Sequence, residues 1–145
     1  MERKVTIYSF AVGATEGRTI LYTCTTNNGM HRVYPSQWCN DGESKRVDMV
    51  SLDSLIDHAD FIKMDIEGSE YGALLGMRRI LEQGTILLME FHIPSIIEYG
   101  RQPIEIYRFM TNLGYDIGFP DKPATWRDIE AVSYTHLRAH ETKAN

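Results

Sequence analysis

Two apolar runs in this chain end in acids and a histidine. The stretch Asp60-Phe61-Ile62-Lys63-Met64-Asp65-Ile66-Glu67-Gly68-Ser69-Glu70 passes from apolar residues into Asp65 and Glu67, breaks at Gly68 and restarts as a helix. The second run, 85–91, carries Glu90 near its end and is followed by His92. Open α/β sheets bind their ligands at the carboxyl ends of strands. Side chains two apart on a strand share a face, which pairs Asp65 with Glu67 and Glu90 with His92. Neighbouring parallel strands lie about 4.8 Å apart, so the two pairs would converge within roughly 5–10 Å.

Three kinds of chemistry suit such a cluster. It can accept hydrogen bonds from the sugar hydroxyls of a nucleoside cofactor. It can supply a general base, with His92 the natural candidate near neutral pH. It can hold a hard divalent cation through oxygens and one imidazole, which is the least favoured of the three. Each residue also has a purely structural use. Asp65 would cap the following turn, Glu67 and Glu70 would favour the positive end of the next helix, Glu90 would pair with Lys63 across the strands, and His92 would be a satisfied histidine before Pro94.

The elements that must position these groups follow from pattern. Residues 4–10 are β-branched and aromatic, as are 18–24, and the turn 13–17 between them predicts a hairpin. Residues 25–44 are polar, with Asn27-Asn28-Gly29 and Asn40-Asp41-Gly42, and read as a long loop that is mobile or covers a site. A short strand at 46–50 precedes a helical turn capped by Ser51. A buried strand at 59–65 leads to a helix over 69–82 with Ser69 as cap. Gly68, Gly72 and Gly76 then read as close packing of that helix on the sheet rather than as a phosphate loop. The near-continuous apolar run 85–91 predicts a strand covered on both faces. Pro103 opens a further helix that stops at Gly114, and 115–119 is a last strand. Strand, helix, strand, helix, strand means an α/β fold with a mostly parallel sheet and flanking helices.

Composition narrows the classes. The chain has 145 residues, is 43% hydrophobic and 24% charged, and carries a formal charge of −5, which describes a globular domain of ordinary size. That charge argues against a nucleic-acid partner held by phosphate neutralisation. No apolar run is long enough for a membrane span, and no signal peptide begins the chain, so the expected location is cytoplasmic. Cys24 and Cys39 lack metal-ligand spacing; they fit a reducing compartment, with one disulfide left open. There is no glycine-rich nucleotide loop after a first strand, no nucleophile elbow and no zinc pattern.

Both ends read as unnatural. The stretch Ala131-Val132-Ser133-Tyr134-Thr135-His136-Leu137-Arg138-Ala139-His140-Glu141-Thr142 resembles the translation of a transposon-end sequencing adapter. The expected organisation is therefore a domain over 1–130 and an artefactual, disordered tail over 131–145. That reading sets His136 and His140 aside as metal ligands. Residues 4–10 already read as a buried strand, so the N-terminus is expected to be a truncation and Met1 an internal methionine.

Ser51-Leu52-Asp53, the stretch 60–70, Leu75-Gly76, Glu90-Phe91-His92 and Leu113-Gly114-Tyr115 together resemble the FkbM family of S-adenosylmethionine-dependent methyltransferases. Residues 10–17 are similar to that family's stretch after its third strand, and the resemblance spans about 5–119. It implies a partial Rossmann-like methyltransferase fold with the first two strands missing. It also implies O-methylation of a small-molecule or carbohydrate acceptor, with S-adenosylmethionine as cofactor in the complete enzyme. By position, the resemblance sets Phe10 and Ala11 near the adenine. Asp65 and Glu67 fall beside the methyl donor, and Glu90 and His92 at the next strand exit. The catalytic candidates are then Asp65, His92, Glu67 and Glu90, and the cofactor-binding candidates Phe10, Ala11 and Asp65. The alternative is a non-enzymatic α/β module that binds a polar ligand or partner protein through an exposed sheet edge.

Overall fold

A computed structural model of the chain describes residues 4–27, 29–39, 41–132 and 134–141. Two sheets organise it. In the smaller, β3 (Ser44–Val50) lies between β1 (Ala11–Val12), which it pairs in parallel, and β2 (Gly17–Tyr22), which it pairs antiparallel. The larger has the order β4 (Phe61–Met64), β5 (Ile86–His92), β8 (Tyr134–Glu141), β6 (Tyr115–Phe119), β7 (Lys122–Pro123). β4 and β5 are parallel, whereas β8 runs antiparallel to both β5 and β6. The sheet is therefore mixed, not mostly parallel. No helix among the described residues is long and apolar enough to cross a membrane.

Several expectations need correction. Residues 4–10 form no strand, and Val5 and Ile7 are 83% and 87% exposed. β-propensity expresses fit to a paired, half-buried surface, and no described strand pairs with this segment. The antiparallel partner of β2 is β3, so the hairpin over 4–24 does not exist. β4 is an edge strand, with Phe61 and Lys63 exposed and only Met64 buried. In β5, Leu87, Met89 and Phe91 are buried while Ile86 is exposed and Leu88, Glu90 and His92 are half-buried. One face of the strand, not both, meets the core.

The tail set aside in the sequence takes a place inside this sheet. Tyr134–Glu141 fills the slot between β5 and β6, with Leu137 and Ala139 buried and Arg138 and His140 exposed. That period-two alternation is what a strand with one core face requires. Residues 133 and 142–145 lie outside the described residues.

Helices cover the core face. The predicted helix 69–82 is two pieces, α2 (Glu70–Leu75) and α3 (Arg78–Leu81), after α1 (Leu52–Leu55). Ser51 caps α1 as expected, accepting from the Ser54 amide at 3.2 Å. Ser69 precedes α2 without capping it; its hydroxyl donates to the Ile66 carbonyl at 2.9 Å. An unforeseen helix, α4 (Ile93–Glu98), starts directly after β5 with Pro94 in its first turn, a position where a missing amide costs nothing. α5 (Pro103–Asn112) and α6 (Trp126–Glu130) follow. Leu74, Leu81, Leu87, Phe91, Ile106 and Ile129 are among the buried residues of one continuous core.

The break between α2 and α3 falls where Gly76 meets the small sheet. A Cβ at Gly76 would sit 1.9 Å from the Gly13 carbonyl oxygen, whereas one at Gly72 would meet nothing within 4 Å. Gly76→Ala is expected to lower the unfolding free energy by about 1–3 kcal/mol through overpacking against backbone. Gly72→Ala is expected to be neutral or to stabilise by up to about 1 kcal/mol. Urea denaturation of the two variants checks this; equal effects would remove Gly76 as a packing contact.

Candidate functional site

The register of the parallel pair β4 and β5 builds the site. Lys63 pairs with Leu88 and Met64 with Met89; one step further along, Asp65 comes beside Glu90. The carboxylates of Asp65, Glu67 and Glu90 each offer an oxygen within 4.8 Å of the others. His92 Nδ1 lies 4.0 Å from Glu67 Oε2. All four residues singled out from spacing therefore converge.

Glu67 reaches this cluster through an uncommon backbone. Its φ is 53°, the left-handed region that non-glycine residues seldom enter. Gly68 follows at φ 106°, where an added Cβ would lie 2.6 Å from the Ser95 carbonyl oxygen. Strain of this kind costs of order 1–3 kcal/mol per residue and gathers at functional sites.

Crowded carboxylates change their acidity. The hydrogen bond shared with Asp65, then burial, then the charge of Asp65 push Glu90 up to about 7. Basic side chains surround the cluster. Lys63 Nζ is 3.6 Å from Asp65 Oδ2, and His136 Nε2 is 3.3 Å from Glu90 Oε1. Glu90 thus pairs with His136 of β8, while Lys63 turns to Asp65. Behind them Glu70 is buried at 1% exposure. The Gly68 amide donates to its Oε1 at 3.0 Å, its Oε2 has no hydrogen-bond partner, and burial pushes it up to about 7.

The polar loop 25–44 covers the site and delivers a cation into it. Arg32 is 2% exposed. Its Nη2 donates to Glu67 Oε2 at 3.0 Å and to Ser95 Oγ at 3.2 Å, and its Nη1 donates to Ser36 Oγ and to Glu98 Oε2. Tyr34 donates to the Glu67 and Ser95 carbonyls at 2.9 and 3.1 Å, and burial pushes its hydroxyl up to about 12. A bridge between Tyr22 and Arg32 and a disulfide between Cys24 and Cys39 hold the loop.

Phe10, Ala11 and Asp65, the three cofactor-binding candidates, line one cavity of about 220 Å³ together with Ile66 and Ser69. Asp65 also borders an apolar groove of about 520 Å³ formed by Val12, Leu52, Ile62, Met64 and Met77. The three carboxylates have a donor set suited to a hard cation, but Lys63 and Arg32 already supply positive charge to Asp65 and Glu67. Arg32, Tyr34, Ser36, Ser95, Glu98 and His136 escaped the reading from sequence. A buried arginine in an aperiodic loop leaves no pattern; only the length of the loop pointed to it.

The sequence model of the methyltransferase FkbM domain matches residues 2–117 of the chain. No curated protein and no solved structure matches it.

The elevated acids set a pH dependence. Glu70 keeps its proton up to about pH 7 when folded, against an ordinary value of 4.5, so the folded chain binds more protons than the unfolded one between these limits. Stability must fall as pH rises through that window, by roughly 3 kcal/mol for Glu70; Glu90 adds a slope of the same sign. Glu70→Gln should flatten the decline. Chemical denaturation at about pH 5 and about pH 8 reads it, and a slope unchanged in Glu70→Gln would sink the assignment.

Proposed function

Because this chain belongs to the FkbM methyltransferase family, we propose that it takes part in S-adenosylmethionine-dependent transfer of a methyl group to a hydroxyl of a sugar or secondary metabolite. The observation that carries this reading is the convergence of Asp65, Glu67 and Glu90 within 4.8 Å at one pair of strand exits. The cavity that Asp65 borders suits the cofactor in its lining, since Phe10 and Ala11 offer apolar and aromatic surface and Asp65 a carboxylate. When bound, S-adenosylmethionine supplies a methyl already activated by its sulfonium.

What is left for the protein is alignment and proton removal. Asp65 and His92 are the candidates to take the hydroxyl proton. Glu67 and Glu90 accept hydrogen bonds from neighbouring hydroxyls and so orient the acceptor. A cluster of acceptor oxygens suits a polyol better than an anion, which it would repel. General-base assistance typically contributes about 10²–10⁴-fold. Asp65→Asn and His92→Gln, assayed by transfer of labelled methyl to a panel of sugars and polyols, should each lose at least about 10²-fold in kcat. Unchanged turnover in both removes them from the chemistry.

A second reading draws on the edge of the larger sheet. β4 has no partner on its outer side among the described residues, and Phe61 and Ile86 are exposed there. Open edges template pairing with other chains. A non-enzymatic module that binds a partner protein would use this edge. Analytical ultracentrifugation separates the readings: self-association that grows with concentration favours the edge, and a monomer at every concentration counts against it.

A further inference from the structure

We propose that Arg32 is a positioning residue that acts through Ser95. It fixes His92 with its proton on Nε2, so that His92 offers the acceptor a hydrogen-bond donor and Asp65, beside Glu90, is the group that receives the proton. The catalytic use of this arrangement rests on the methyl-transfer reading above; the place of the proton does not.

The donors and acceptors around Ser95 place the proton. Ser95 is completely buried. Among the described residues its hydroxyl is hydrogen-bonded to two side chains, Arg32 Nη2 at 3.2 Å and His92 Nδ1 at 2.5 Å, and the Tyr34 hydroxyl lies beside it. A guanidinium has five N–H groups and no acceptor, so the Ser95 oxygen must accept from Arg32. The single hydroxyl proton then goes to His92 Nδ1, the near acceptor at 2.5 Å, rather than to Tyr34, whose hydroxyl is turned to the Glu67 and Ser95 carbonyls. Turned away from both it would be a buried donor without a partner, which folded proteins avoid. Nδ1 therefore accepts, and a neutral imidazole whose Nδ1 accepts carries its proton on Nε2.

The same guanidinium disarms the competing arrangement. A carboxylate against Nδ1 would favour a proton there, as in the serine-protease triad, whose histidine keeps Nε2 free to act as base. Glu67 is the carboxylate available, but its Oε2 stands 4.0 Å from Nδ1, beyond hydrogen-bond length. That oxygen instead receives Arg32 Nη2 at 3.0 Å. Arg32 thus engages Glu67 and orients the Ser95 hydroxyl together. Ser36, Glu98 and the Tyr34 bonds to the Glu67 and Ser95 carbonyls keep the guanidinium and its targets in place.

The test is the ring-nitrogen spectrum of the full chain labelled with 15N-histidine, with His92 assigned by the signal lost in His92→Asn. Wild-type protein should show His92 in the Nε2–H form. Ser95→Ala removes the donor to Nδ1 without touching an ion pair and should shift the population towards Nδ1–H. Arg32→Gln should do the same, because its amide oxygen gives the Ser95 proton another acceptor. Arg32→Lys, which can only donate, should retain the wild-type form. A wild-type His92 carrying its proton on Nδ1 overturns the proposal outright, whether or not the variants fold. A tautomer unmoved by Ser95→Ala overturns the part played by Arg32. Neither cofactor nor acceptor is needed. A chain that shows the Nε2–H form yet transfers no methyl would leave the proton where we place it and sink the methyl-transfer reading alone.

Discussion

The register between β4 and β5 is the constraint on which the rest of the site depends. Parallel pairing of Met64 with Met89 buries both on the core side. The next residues, Asp65 and Glu90, are thereby forced together on the opposite face. Two like charges at about 4 Å repel by about 4 kcal/mol at an effective dielectric of about 20. A one-residue slip would relieve that repulsion only by turning the methionines out of the core. The fold holds the register and moderates the repulsion instead, with Lys63 from β4 and Arg32 from the long loop.

The division of labour inside the cluster follows from which neighbour each acid received. Glu67 is tied by Arg32 and has its main chain held by Tyr34. It is the most rigid of the three and suited to orienting a ligand. Asp65 has a single exposed lysine at 3.6 Å and opens onto two cavities, so it is the acid most accessible to a substrate. Glu90 shares a proton-bearing contact with Asp65.

How much of this the chain discloses by itself depends on the periodicity of each part. The apolar run 85–91 and the acids after 61–64 are distinct signals, and β5, β4 and the convergence of Asp65, Glu67, Glu90 and His92 were legible from them, whereas the single buried face of β5 was not, because Leu88 is as apolar as its buried neighbours. α1 with its Ser51 cap and α5 with Pro103 carry local signals and were legible too. Residues 4–10 misled because β-propensity records what a residue tolerates and not whether a partner strand exists. The split at Gly76 was hidden because the backbone it packs against, at Gly13, is distant in sequence. Arg32, Ser95 and Glu98 work through contacts across more than sixty positions, and nothing local distinguishes them from surface residues. β8 was passed over because its origin was judged from its coding pattern, whereas Leu137 and Ala139 alternate as a strand must.

The insertion of β8 between β5 and β6 also orders events in time. A strand slot in the middle of the sheet is filled by the last of the described strands to leave the ribosome. At synthesis rates of about 5–20 residues per second, β5 and β6 wait seconds with their facing edges unpaired. Pairings so distant along the chain are also slow to form. Until residues 134–141 arrive, the nascent chain presents two open edges and the apolar row of Leu87, Met89 and Phe91, a surface that chaperones bind and that other nascent chains can capture.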